Sequence, residues 1–472
     1  MKKKIIILFI LGIISLIFLS SEIFATDITS SSHITINDKA ISQKARDGKE
    51  SSYMTINKDT PIIIKSEQEI HGLYIIYEFQ SKEGTLSAGE TVAEIGKNNF
   101  LHEYLNVNDL LGATNKLSLV YKEDVKIAEI YVLGSGELPS FVEVWEPPCE
   151  VADLMLFTTH SDDEQLFFLG LLPTYVARGA YVQVVYFANH NDTSNRLHEQ
   201  LHGLYTVGIR NYPIMGIIPD AYSTTLKGAI SNMNSAGITE EDALKFQVEM
   251  LRRFKPQVVV GHDEKGEYSH GQHILNTHLL KQAIGKANDS SFDETTYNKY
   301  GNWQISKLYL HLYEQNPIIM DYDIPLDYFG GKTAYEISKE GYSKHSSQQW
   351  TWFTSWINGK SNQYTKATNI KTYSPLKYGL YYSNIGEDIQ KNDMFENITY
   401  YKIQQEKEEQ MRQEEAQKES IITSNNNTTT TQNKSEIPLR TIIIGILSTL
   451  SMFIIFIIII RKFRRKKYDK NC

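Results

Sequence analysis

The sequence predicts an α/β domain on a parallel sheet, with a β-sandwich before it and a single transmembrane helix after it. Three observations carry that reading. Beyond Pro147-Pro148, continuous apolar runs alternate with helical stretches; before that point, short β-type runs alternate with turn residues; near the end, 20 uncharged residues run from Thr441 to Ile460. Apolar strands without polar alternation are buried on both faces, as strands between helices are. Short strands at regular intervals without a helical period build sandwiches.

Taken in order, Lys2, Lys3 and Lys4 precede the apolar run Ile5 to Leu19, which is followed by Ser20, Ser21 and Ala25, so residues 1–25 read as a secretory signal. Residues 26–148 hold the expected sandwich, with runs at His33–Ile36, Pro61–Ile64, Leu73–Phe79, Leu117–Tyr121, Ile127–Leu133 and Phe141–Trp145. The α/β domain is expected over 149–400. Its strands are Ala152–Thr158, Tyr181–Phe187 and Gln257–Gly261, and its helices Glu164–Arg178, Asn195–Val207 and Thr239–Phe254. Residues 401–438 form a stalk: Tyr401–Ser420 is polar on every face, a solvated helix or disordered, and Ile421–Glu436 is an Asn/Thr-rich tether. At ~1.5 Å per residue the run 441–460 is long enough for ~30 Å of hydrocarbon. The Arg461–Lys467 cluster marks 461–472 as a cytoplasmic tail. The expected location is therefore a cell membrane crossed once, with the folded part outside.

Over 472 residues, 48 Lys/Arg oppose 56 Asp/Glu, a net charge of -8. The leader carries three Lys and one Glu and the tail seven Lys/Arg and one Asp, which leaves 38 bases against 54 acids between them. A body that acidic lacks the basic footprint of a phosphate-backbone binder, and nucleic acid is excluded as an expected partner. The two cysteines, Cys149 and Cys472, give no disulfide framework.

Chemistry concentrates at two strand ends. The first apolar strand runs into Thr159-His160-Ser161-Asp162-Asp163-Glu164, and Gln257–Gly261 runs into His262-Asp263-Glu264-Lys265-Gly266-Glu267-Tyr268-Ser269-His270-Gly271-Gln272-His273. Open α/β sheets place their sites at such carboxyl ends. His270 and His273, three apart at a helix start, share a face. Asp162 and Asp163 also satisfy a helix N-cap and first-turn charge, a reading the first motif alone leaves open. Together the clusters offer nitrogen and oxygen donors without thiolate, a set that suits catalytic zinc. His190, His198, His202 and His262 read as ordinary surface or hydrogen-bonded histidines.

Thr-His-Ser-Asp-Asp-Glu resembles the Ala-His-Pro-Asp-Asp-Glu signature of the PIG-L/LmbE-like N-acetylglucosaminyl deacetylases, and the His270-Gly271-Gln272-His273 stretch resembles their His-x-x-His element. Arg196-Leu197-His198-Glu199, with Val207-Gly208 downstream, is similar to their intervening Arg-x-x-Glu and Leu-Gly helix. The likeness covers about Val151 to Trp356, with the motifs in family order. It implies a Rossmann-like α/β fold, helices on both faces of the sheet, and a Zn2+-dependent hydrolase that removes acetyl from an N-acetylated amino sugar. By motif position His160, Asp163 and His273 would hold the metal. Asp162 would be the general base, and His270 would stabilise the oxyanion or help the amine leave. Arg196 and Asp220 would contact the sugar, and His345, in a His-x-Ser-Gln-like stretch, would be accessory. Ser161 stands where the signature has Pro, and Gly271-Gln272 where it commonly has Pro-Asp. Arg46–Glu50 followed by strands, and the stretch from Ile130 to Trp145, resemble galactose-binding-like jelly rolls. The alternative function is a non-catalytic glycan-binding surface protein whose α/β domain has kept only its fold.

Overall fold

The computed structural model describes residues 27–190 and 193–426. Its first part stacks two antiparallel sheets. One runs Lys39–Ala40, His33–Ile36, Ile62–Ile70, Thr114–Tyr121, Gly84–Ala88, Thr91–Ile95; the other runs Met54–Ile56, Val125–Leu133, Gly72–Tyr77, His102–Asn106. Along Ile62–Ile70, Ile62, Ile64 and Ser66 point inward while Lys65 and Glu67 face solvent, the period-two pattern of a half-buried strand. Ile62, Ile64 and Leu119 meet Leu73, Ile75 and Ile130 in one core. Phe141–Trp145 is not a strand. Pro139, Pro147 and Pro148 flank it and lack the N–H that a ladder requires, and Trp145 packs instead into the α/β core.

The second sheet has the order Val182–Tyr186, Leu154–Thr158, Val258–Gly261, Lys307–His311, Lys377–Ser383, Pro317–Ile319. The first four strands are parallel; the last two pair antiparallel, so the sheet is mixed. Leu154, Leu156, Val258 and Val260 enter the core on one face, and Met155, Phe157, Val259 and Leu310 the core on the other. The expected helix Glu164–Arg178 is broken into Asp163–Leu166 and Leu171–Ala177. Gly170 causes the break: it sits at φ +87°, and a Cβ there would lie 2.3 Å from the Tyr322 ring.

Among the described residues no helix is long and apolar enough to cross a membrane. Tyr401–Asn426 has the length but carries charges along most of it, from Lys402 to Glu419, and Gly271–Asn288 is packed against protein. The described fold is thus without a transmembrane helix, and the structure gives no support to the expected single-pass membrane location. The leader 1–25, the run 441–460 and the tail 461–472 lie outside the described residues.

From the Leu154–Thr158 strand the chain continues to Val182–Tyr186 on one side, while Val258–Gly261 pairs on the other. The strand order therefore reverses between the two strands that end in His160 and His262. In open α/β sheets that crevice is where ligands bind.

A candidate metal-binding active site

The loop after Leu154–Thr158 turns back at once. Asp163 Oδ2 accepts the His160 backbone N–H at 2.8 Å, which folds the carboxylate over the histidine ring. Opposite, Gly266 at φ +67° and the left-handed Tyr268 and Ser269 at φ +45° and +61° form the turn that delivers His270. His270 starts the Gly271–Asn288 helix, and its Nδ1 accepts the Gln272 N–H at 3.3 Å. His273 follows one turn on.

Three donor atoms meet at nearly equal spacing. His160 Nδ1 to Asp163 Oδ2, His160 Nδ1 to His273 Nε2, and His273 Nε2 to Asp163 Oδ2 are each 3.1 Å. A tetrahedral ion with bonds of about 2.0–2.1 Å has ligand edges near 3.3 Å, so the triangle has the size of one face of such a site. Each ring is also held in the tautomer a ligand requires. His160 Nε2 faces Gln272 Oε1 at 2.9 Å, and His273 Nδ1 faces Glu267 Oε2 at 2.8 Å. Donating there leaves the converging nitrogens with lone pairs. His262 adds another donor, its Nδ1 on Glu267 Oε2 at 2.8 Å and its unpartnered, buried Nε2 3.6 Å from Asp163 Oδ2.

The buried carboxylates favour positive charge at this point. Burial alone would lower the His273 pKa, yet Asp163 and Glu267 outweigh it and raise it to about 10. Burial likewise works against ionised Asp163 and Glu267, but the surrounding imidazoles hold both well below the usual carboxylate range. Asp162 differs from its neighbour: burial pushes it up to about 6 against the pull of Arg196. His270 is held neutral, its pKa down to about 2 through burial and the nearby His160 and His273.

Arg196, on the Ser194–Thr206 helix, donates through Nη2 to Asp162 Oδ1 at 3.2 Å and to the Ser161 carbonyl at 3.0 Å, with Asp220 Oδ2 3.7 Å from its Nη1. Asp220 follows the short Ile218–Pro219 strand, which pairs with Ala188–Asn189 and so brings it beside His160 Nε2, 3.5 Å away. Seven of the eight expected residues thus gather at one crevice. The eighth, His345, is fully buried behind the loop with Nε2 3.1 Å from Glu164 Oε1.

Residues 155–284 match the family model described as GlcNAc-PI de-N-acetylase, PIG-L. This stretch is a PIG-L family domain. Among curated relatives, the 1D-myo-inositol 2-acetamido-2-deoxy-alpha-D-glucopyranoside deacetylase of Nocardiopsis dassonvillei is 24% identical over 177 residues, 33% of this chain and 61% of the relative. That of Geodermatophilus obscurus is 25% identical over 178 residues, 33% of this chain and 60% of the relative. The chain thus spans about three fifths of the length of the curated relatives it matches. A solved structure, N,N'-diacetylchitobiose deacetylase from Pyrococcus horikoshii, aligns over 48% of this chain and 84% of its own with 14% identity and a TM-score of 0.35.

The departures of the PIG-L domain from the family signature have local reasons. Ser161 donates its backbone N–H to His190 Nε2 at 3.1 Å, a bond that proline could not make, and its hydroxyl bonds Gln200. Gly271 donates its N–H to the Ser223 carbonyl at 2.7 Å, and a Cβ there would fall 2.0 Å from Ser223 Oγ. Gln272 takes over the support of His160. Sequence reasoning missed His190, His262, Glu267 and Gln272 as parts of the site. For His262 the signal was present, since it follows its strand directly at the same sheet edge as His160.

Proposed function

We propose that the chain is a zinc-dependent hydrolase that removes acetyl from an N-acetylated amino sugar of the N-acetylglucosamine type. The observation that carries this is the 3.1 Å triangle of His160, Asp163 and His273 with the buried carboxyl of Asp162 beside it. The names of the family and its relatives, all de-N-acetylases or deacetylases of 2-acetamido sugars, support the substrate class.

His160 Nδ1, Asp163 Oδ2 and His273 Nε2 would hold the ion, with His262 Nε2 within reach. Zinc supplies an electrophile for the acetyl oxygen and makes water a stronger acid. Asp162, steadied by Arg196, accepts the proton of the attacking water. As oxygen bonds to the acetyl carbon, negative charge grows on the former carbonyl oxygen. His270 meets it as a neutral imidazole: with Nδ1 accepting from the Gln272 N–H, its proton sits on Nε2. The C–N bond then breaks, the proton held by Asp162 passes to the amine, and the acid leaves as acetate once the water's second proton is given up. Arg196 and Asp220 lie where sugar hydroxyls would approach. Exposed Tyr222, whose ring centroid is 5.2 Å from that of His270, and Trp352, 6.0 Å from Tyr268, offer apolar faces to a pyranose ring. Incubating the full-length protein with a panel of N-acetylated amino sugars should release acetate and free amine in equal amounts. No release from any of them with zinc bound contradicts the proposal.

A further inference from the structure

A second cluster of imidazole and carboxylate groups lies where the sandwich meets the PIG-L domain, and the activity proposed above does not use it. Two of its histidines stand in the stretch His198-Glu199-Gln200-Leu201-His202, a His-Glu-x-x-His pattern on the Ser194–Thr206 helix. Histidines four apart share a helix face, and that pattern presents a metal-binding pair. Here the face meets His102, at the start of a sandwich strand, Glu50 from the loop before another, and Glu143 from the connector.

Glu143 sets the tautomers. Its Oε2 lies 3.0 Å from His102 Nδ1 and its Oε1 2.7 Å from His202 Nδ1, while Trp145 Nε1 donates to Oε2 at 3.0 Å. One carboxylate receiving both Nδ1 protons leaves a lone pair on each Nε2. Those two nitrogens face a further anion, Glu50 Oε1, at 2.8 Å from His202 Nε2 and 3.9 Å from His102 Nε2. His198 Nδ1 is 2.8 Å from His102 Nε2, and His198 Nε2 is buried without a partner. Lone pairs and a carboxylate converging in this way suit a cation: the donor atoms of Glu50, His102 and His202 lie within 4.8 Å of one another, and the edges of 2.8 and 3.9 Å bracket the roughly 3.3 Å edge of a tetrahedral zinc site.

We propose that Glu50, His102 and His202, with His198 beside His102, bind a second divalent transition-metal ion, zinc by donor type, which clamps the sandwich onto the helix that carries Arg196. The site is structural. Glu199, the residue that serves as general base in the metalloprotease use of this pattern, is turned away. Its carboxylate is occupied by the Ser346 and Ser347 hydroxyls at 2.6 Å and the Ser347 N–H at 2.7 Å. Glu50 and His202 each remain 28% exposed, which gives the ion a way in.

The test counts zinc in the full-length protein after loading and removal of excess metal. Glu50→Gln, a partly exposed change that keeps shape, and His202→Ala should each lose one equivalent relative to the parent. The double variant His273→Ala/Glu50→Gln should hold less than His273→Ala alone, which separates this site from the proposed catalytic one. Should His202→Ala fail to fold, Glu50→Gln alone decides. Parental zinc content in folded Glu50→Gln would overturn the proposal and leave a proton, not a metal, in the cluster.

Discussion

Replacing Glu267 with Gln should weaken zinc binding at the His160–Asp163–His273 site without changing any ligand. Glu267 is fully buried and receives the Nδ1 atoms of His262 and His273 on Oε2, each at 2.8 Å, and that of His311 on Oε1 at 2.6 Å. An amide keeps the shape but exchanges one acceptor for a group that only donates. If NH2 takes the Oε1 place, His311 can turn a lone pair to it by holding its proton on Nε2, where the Ser374 carbonyl accepts at 3.0 Å, while the Asp263 N–H, 3.2 Å from Oε1, loses its acceptor. The reverse orientation would set NH2 against two imidazole N–H groups and is disfavoured. His273 thus keeps its orientation but loses an anionic partner, so its Nε2 becomes a poorer donor to a metal. Loss of such a supporting partner costs about 10–100-fold in metal affinity, or about 1.4–2.7 kcal/mol. Chelator competition on the full-length protein, read for the equivalent that His273→Ala abolishes, gives the Kd. An unchanged Kd in a folded Glu267→Gln variant would refute the reasoning.

Asp162→Asn should retain zinc yet lose on the order of 10²–10⁴ in kcat, the range for a missing general base; near-parental turnover would assign the base elsewhere. Asp162 works ionised, and burial raises it to about 6, so activity is present above that pH and falls as pH drops through it. A bound cation moves the limb lower, and a limb that persists unchanged in Asp162→Asn would contradict the assignment. His160→Ala and His273→Ala should each lose activity and the zinc equivalent of this site, because a site with three protein ligands holds its ion poorly with two; full parental metal content in either would mean the ligands are misassigned. Gly271→Ala should lower stability by about 1–3 kcal/mol, because its Cβ would fall 2.0 Å from Ser223 Oγ, and an unchanged melting temperature would show that this loop yields. Trp352→Ala should raise KM about 2–10-fold with kcat little changed, as loss of a stacking face worth about 0.5–1.5 kcal/mol implies; a change in kcat alone would place Trp352 outside the sugar's path.

Much of the architecture was legible because burial on two faces writes a continuous apolar run. Leu154–Thr158 and Val258–Gly261 are of that kind, and the motifs at their carboxyl ends followed from them. Gly84–Ala88, Thr91–Ile95 and His102–Asn106 were not seen, since each buries only part of its length and reads as turn material. The antiparallel Lys377–Ser383 strand leaves no local mark of its direction. Glu267 was invisible as a supporting residue because its three histidine partners come from two segments, and only the fold brings His311 to it. The same holds for the interdomain cluster: His198 and His202 are spaced for one helix face, but Glu50, His102 and Glu143 reach them across long loops.

The central claim is that an ion held by His160, Asp163 and His273 makes this chain a deacetylase. Acetate release from an N-acetylated amino sugar, followed while zinc is returned to chelated full-length protein, tests it most directly. Release should rise from background to a plateau with zinc occupancy in the parent and stay at background in His273→Ala at every zinc concentration. Full acetate release by the chelated protein, or equal release by His273→Ala, would contradict the claim.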